Sequence, residues 1–402
     1  MRRLMVLAIL LCAGLATAGE KSERVLLYDF DTPFRIQEKS PGSVTAEVKT
    51  DADGARRLEL AFKRDAKSGM AYVQPAIQNV LATKGPLMSG LSFDAKGDGS
   101  KTFGLIEIRT DDYTNIFQAV FPLVSKEWTR IEIPWEEFFQ INDNVKDAAL
   151  DLAKVSNFSF GSRADWGSCA YAVRPLYLAD VAVPESPKAP EGSAELAKTA
   201  AKLAAGEGIK IVALGDSITF GAQVSREGRK GGLYFQVAAA KLGEAFTGVK
   251  IQTVNAGVSG DTIAEGIIRI GHQVAAENPD LVIVLLGAND AIYEFPDARV
   301  RRTMSLLIDK LRGSTDAEIL LLGPAPISDK PGIPERYGKV YADIAAEKGL
   351  AYSDTSKVFA GMPAGTYKGA FADNVHWSEG GHQAVGEAVG KYLTSLLTKQ
   401  PE

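Results

Sequence analysis

The sequence predicts two halves of different class: an all-β sandwich of jelly-roll type, then an α/β unit built on a three-layer parallel sheet. Three observations predict this. Between Val25 and Val183 the apolar residues fall in short, roughly alternating runs parted by turn-like stretches such as "DADG" and "KGDGS". No long helical period intervenes, which is the pattern of stacked antiparallel sheets. From Gly208 onward, continuous apolar runs alternate with amphipathic helical stretches, the pattern of a parallel sheet covered on both faces. Between the two lies "PESPKAPEG", residues 184–192, a linker by composition.

The elements follow in order. Arg2 and Arg3 precede an apolar run from Leu4 to Leu15, and Ala16-Thr17-Ala18 supplies small residues of the kind a signal peptidase prefers. Residues 1–18 therefore read as an export signal, since the run is shorter than the roughly 20 residues that span a bilayer. Residues 19–185 read as the sandwich, with strands in "VLLYDF", "RRLELAF", "FGLIEIRT", "IFQAVFPL", "WTRIEIPW" and "CAYAVRPLYLADVAV". Residues 186–207 hold the linker and a helix with Ser193 as its N-cap. A Pro-containing linker of about ten residues is long enough to tether two independently folded units. Residues 208–402 form the α/β unit. Its strands are "IKIVAL", "KIQTVNA", "LVIVLLG", "EILLLGP" and "LAYSD", and its last helix runs from Glu379 to Leu397.

Composition excludes several functions. The hydrophobic fraction is 46% and the charged fraction 24%, which suits a globular chain. Net charge is -5, and -7 once Arg2 and Arg3 leave with the signal. That balance argues against nucleic acid, and against an anionic membrane surface after signal removal. Only Cys12 and Cys169 occur, so a chain without its signal has no intramolecular disulfide. No His/Cys cluster has zinc spacing. Asp29, Asp31, Asp51 and Asp53 read as solvated turn residues rather than a calcium site. No metal and no cofactor is implied. The sequence leaves the oligomeric state open.

The chemistry collects behind the strands of the α/β unit, where open parallel sheets place their binding crevice. "GDSIT" follows the first strand, "NAGVSGDT" the second and "GAND" the third, and "DNVH" precedes the last helix. With the flavodoxin-like strand order 2-1-3-4-5, Gly260 and Asn289 flank Ser217. The set fits acyl transfer. Ser217 needs a base, and His376 can supply one. Asp373, three residues earlier, can fix the imidazole tautomer. The Ser217 and Gly260 N–H groups and the Asn289 amide are candidate donors to an oxyanion. Asp216 reads as a hydrogen-bond acceptor behind the nucleophile rather than a proton donor. Of the other histidines, His272 reads as a helix-face residue and His382 as a packing or capping residue.

These four blocks resemble, in order, those of the SGNH (GDSL-type) hydrolases, over about residues 208–398. The resemblance implies Ser217, Asp373 and His376 as triad and Ser217, Gly260 and Asn289 as oxyanion hole. "YDFD" and "WTRIEIPWEEF" in the front half resemble β-sandwich carbohydrate-binding modules, with Tyr72, Tyr113 and Trp166 as candidate glycan contacts beside Trp128 and Trp135. Together the two resemblances imply an exported serine esterase that removes acetyl or other short acyl groups from a carbohydrate. Two alternatives stay open: a lysophospholipase or thioesterase, and a surface binding protein without activity.

Overall fold

The computed structural model describes residues 24–38, 40–63, 71–162, 168–183, 196–327, 330 and 332–398. The segment read as an export signal, Trp166, the 184–192 linker and Ser193 lie outside the described residues.

The front half is two antiparallel sheets packed face to face. One runs Val25–Tyr28, Leu176–Ala179, Gly90–Gly97, Cys169–Val173, Arg56–Phe62 and Val44–Thr50, with Thr129–Pro134 also paired to Gly90–Gly97. The other runs Phe139–Gln140, Asn115–Pro122, Phe103–Thr110, Val155–Ser162, Ala71–Pro75 and Phe34–Gln37. Alternation along its central strands sends Ile106, Ile108, Phe117, Ala119, Phe121, Phe158 and Phe160 into the space between the sheets.

The second half is a five-stranded parallel sheet. In chain order its strands are Ile209–Gly215, Ile251–Gly257, Leu281–Leu285, Glu318–Leu322 and Ala351–Ser353. Their spatial order is 2-1-3-4-5, with every pairing parallel. Both faces are apolar, so helices cover both. Val212, Leu214, Val282, Val284, Ile319 and Leu321 meet helices Ile263–Arg269, Asp297–Ser314 and Gly332–Lys348. Ile211, Ala213, Ile283, Leu285, Leu320 and Leu322 meet helices Ala197–Ala204, Tyr234–Ala245 and Glu379–Leu397. Among the described residues no helix is long and apolar enough to cross a membrane.

The two halves are not beads on a tether. Phe103, Leu105, Val120 and Phe139 face away from the sandwich core and join one apolar cluster with Ile263, Ile267, Ile270 and Val274. The outer face of this sheet is therefore buried too, which the roughly alternating pattern did not foresee. Polar contacts surround the seam: Lys101 Nζ donates to Ala275 O at 2.7 Å, Lys310 pairs with Glu137 at 2.6 Å and Arg302 with Asp147 at 2.8 Å. The fit is close at Gly271, where a Cβ would lie 2.1 Å from Lys101 O. Each apolar side chain of this seam is worth about 1.5–3 kcal/mol when withdrawn from water, so burial along the seam favours the docked arrangement.

Candidate active site

The first parallel strand ends at Gly215, and the chain turns at once into the single helical turn Ser217–Phe220. Asp216 caps that turn, its Oδ1 accepting from Ile218 N at 2.9 Å. Capping explains why a carboxylate stands at this buried lip. Burial pushes its carboxyl up to about 6, with the Ile218 N–H and His376 pulling the other way. Ser217 is the first helical residue, so its N–H has no intrahelical partner.

His376 comes from the loop before the last helix. Its Nε2 lies 2.9 Å from Ser217 Oγ, and its Nδ1 lies 2.8 Å from Asp373 Oδ2. The other oxygen of Asp373 accepts from Val375 N at 2.8 Å and His376 N at 2.7 Å. Partial burial alone would raise the Asp373 carboxyl. The hydrogen bonds from His376 and Val375 outweigh it and hold the group below the usual carboxylate range. The loop thus offers an ionised acceptor to one ring nitrogen and leaves the other for the serine.

Gly260 and Asn289 come from the loops behind the strands on either side of the Ser217 strand. Gly260 has φ +88°, a backbone state that glycine adopts at little cost. Asn289 Nδ2 donates to Asp261 O at 2.8 Å, so the two loops are hydrogen-bonded to each other across the end of that strand.

Sequence reasoning missed the polar framework beneath these loops. Arg269 is 1% exposed. It pairs with Asp261 and donates to Ala256 O at 2.8 Å and Gly215 O at 3.0 Å, gripping the ends of the first two strands. Asp290 Oδ2 accepts from Ile263 N at 3.0 Å. Burial pushes its carboxyl up to about 7, opposed by that N–H and by the charge of Arg299. The available signal was a lone arginine inside the apolar helix "IAEGIIRIGHQV", eight residues after the aspartate of "SGDT".

Residues 213–384 match the model of the GDSL-like lipase/acylhydrolase family. The C-terminal half therefore carries a GDSL-like lipase/acylhydrolase domain. The GDSL-type half also carries similarity to curated esterases. Esterase TesA of Pseudomonas aeruginosa is 34% identical over 105 residues, 26% of this chain and 52% of that protein. The acetylxylan esterase of Geobacillus stearothermophilus is 28% identical over 204 residues, 46% of this chain and 93% of that protein. Among solved structures, a two-domain esterase active on acetylated mannans is 24% identical with a TM-score of 0.43, covering 52% of this chain and 55% of its own. The chain thus spans only about half the length of TesA and of the mannan esterase. Ahead of the GDSL-type half, residues 39–172 match the family of complex I intermediate-associated protein 30.

The remaining candidates divide. Tyr72 is 4% exposed, with its hydroxyl donating to the buried Glu107 at 2.9 Å, so it is a structural residue and not a glycan contact. Tyr113 is 52% exposed, on a turn where Asp111, Asp112 and Tyr113 all have positive φ. Trp135 donates to Met88 O at 2.7 Å, and Trp128 lies under the Arg174 guanidinium. His382 is fully buried. It accepts from Tyr234 N at 3.3 Å and stacks on the Tyr234 ring. Burial lowers its pKa to about 4. Asp31, Asp51 and Asp53 are ion-paired to arginines.

Proposed function

We propose that the protein is an exported serine esterase that removes acetyl or other short acyl groups from a carbohydrate. The observation that carries the catalytic part is the unbroken line Asp373–His376–Ser217, with hydrogen-bond distances of 2.8 and 2.9 Å. In this reading Ser217 Oγ attacks the ester carbonyl as His376 Nε2 takes its proton. Asp373 accepts from Nδ1–H and stabilises the imidazolium. The Ser217 and Gly260 N–H groups and the Asn289 amide receive the negative oxygen of the tetrahedral intermediate. Collapse breaks the bond to the sugar oxygen, which takes the proton from His376. Water, deprotonated by His376, then releases the acid and restores Ser217. This assembled line also speaks against an inactive binding protein.

The carbohydrate part rests on similarity to an acetylxylan esterase over 93% of that protein, and on the exposed Tyr113, whose ring can stack on a sugar face. Export rests on the Arg2-Arg3, apolar-run and Ala16-Thr17-Ala18 pattern. A second reading, hydrolysis of longer acyl esters or thioesters, draws on Phe220 and Ile292. These exposed apolar residues stand three positions after Ser217 and Asn289. Acetate release across a panel of acetylated polysaccharides, beside aryl esters of increasing chain length, separates the two. Preference for long acyl chains without release from any polysaccharide would replace the first reading with the second.

A further inference from the structure

The helical turn that bears Asn289 is short and held from outside. It runs only from Ala288 to Ile292, too few residues to be stable unaided. Tyr293 N donates to Asn289 O at 2.9 Å, and the chain then bends sharply at Glu294, with φ +56°. A non-glycine residue in that region persists only where its surroundings over-determine it. Cations hold the carboxyl end of the turn: Lys330 Nζ donates to Ile292 O at 3.3 Å and pairs with Glu294 at 2.5 Å. The second cation comes from the sandwich. Lys146 Nζ donates to Tyr293 O at 2.5 Å and lies 3.5 Å from Glu294. Positive charge at a helix carboxyl end is stabilising.

The same sandwich loop is gripped by Arg299, which is 2% exposed. Its guanidinium donates to Val145 O at 2.7 Å, Lys146 O at 3.2 Å, Asn142 O at 3.2 Å and Gln140 O at 3.4 Å. Its carbon lies 3.5 Å from the centre of the Phe295 ring. Phe295 N in turn donates to Asp290 O at 3.0 Å, and Tyr337 Oη donates to Phe295 O at 2.5 Å with Asp290 O 3.2 Å away on the same hydrogen. Asp290 follows Asn289 directly, and Arg299 lowers its carboxyl pKa from the value burial alone would set. Arg299 is thus bonded to the sandwich loop on one side and packed against the Asn289–Phe295 segment on the other.

We infer that the sandwich takes part in catalysis, its 140–147 loop holding the Asn289 amide in place through Arg299 as a positioning residue and Lys146 as a second anchor. This rests on the reading of Asn289 as an oxyanion donor. It gives the front half a role in every turnover, including turnover of substrates too small to touch it.

A double-mutant cycle on the full chain, with a small aryl acetate, tests it. Asn289→Ala alone checks the underlying reading and should lower kcat by about 10²–10³. No effect there would remove the oxyanion role itself. Given that effect, Arg299→Met should lower kcat at least tenfold with KM within about twofold. In the Asn289→Ala background the same change should cost less than threefold, because the group it positions is gone. Lys146→Met, at an exposed position, should show the same non-additivity with a loss of about two- to fivefold, and it serves if Arg299→Met does not fold. Lys310→Met weakens the seam far from Asn289 and should leave kcat unchanged. Equal losses in both backgrounds, or an unchanged kcat in Arg299→Met and Lys146→Met, would overturn the inference.

Discussion

Asn289 donates its side-chain amide to Asp261 O at 2.8 Å, and this bond joins two loops that lie on opposite sides of the Ser217 strand. An amide nitrogen carries two hydrogens. One is committed to Asp261, which fixes the direction of the other. Removing the carboxamide should therefore cost rate rather than affinity. Asn289→Asp, which keeps the shape but presents oxygens where the donor stood, should lower kcat on an aryl acetate at least as much as Asn289→Ala. Steady-state kinetics of both variants checks this, and an active Asn289→Asp enzyme would remove the amide from the mechanism.

Ser217→Ala should abolish turnover while the far-UV spectrum and melting temperature stay close to those of the parent, since the hydroxyl's one partner among the described residues is His376 Nε2. His376→Ala should be nearly as damaging. Asp373→Asn should impair kcat more than KM, because it disturbs the tautomer and not the binding surface. Activity within tenfold of the parent in Ser217→Ala would end the serine mechanism.

The parallel sheet was legible because its strands are buried on both faces and read as uninterrupted apolar runs, and because glycines and polar residues mark where each one ends. Ser217, Gly260 and Asn289 stand just beyond those ends, so the blocks that carry them were legible too. The interface was not. Leu105 and Val120 look like ordinary members of strands whose other face packs the sandwich, and Glu107, Arg109 and Gln118 interrupt the apolar run that would have marked a second buried face. Arg299 escaped for a related reason: a charge in a helix reads as solvent-facing until its partners, here about 150 residues away in the sandwich, are known. Arg269 has its ion-pair partner only eight residues away, but its hold on Gly215 O depends on the fold. Tyr72 failed as a glycan contact because its acceptor, Glu107, is buried in the same sheet.

His382 gives a prediction in which the sign can be worked out. Its pKa in the folded protein, about 4, lies below the ordinary 6.5. Between those values the unfolded chain binds more protons than the native one, so this residue makes stability fall as pH drops from 6.5 toward 4. Within the window the slope approaches about 1.4 kcal/mol per pH unit. Asp216 and Asp290, raised to about 6 and about 7, act in the opposite direction. His382→Asn keeps an acceptor for Tyr234 N and removes the titration. Its melting temperature should fall less between pH 6.5 and 4.5 than that of the parent, and it should retain most esterase activity. An identical pH dependence of melting would show that His382 does not titrate as a buried neutral ring.

Arg269 and Asp261 form a buried ion pair, and removing one partner leaves the other charge uncompensated. Arg269→Met should destabilise the fold by roughly 3–5 kcal/mol, read from denaturant midpoints at constant slope. Arg269→Met with Asp261→Asn should recover part of that loss, since the orphaned charge is gone. If the double variant is no more stable than Arg269→Met, the cost lies in the strand-end contacts to Gly215 and Ala256 rather than in the pair.

Separating the halves tests what the linker does. A chain starting at Leu196 would leave Ile263, Ile267 and Ile270 without the apolar sheet face they pack on. It would also leave Arg299 with none of its four carbonyl acceptors. An uncovered apolar face favours unfolding or aggregation. Such a chain should be poorly soluble and should lose activity on small and polymeric esters alike. Cutting a protease site placed within residues 186–192 of the folded full chain should have the opposite result. The halves should elute together on gel filtration and keep aryl acetate turnover, because the seam and not the tether holds them. Gly271→Leu, which drives a side chain into Lys101 O, should then allow the cut halves to part. If the cut halves of the unaltered sequence separate and the GDSL-type half stays active, the sandwich is an independent module after all, and its part in catalysis falls with it.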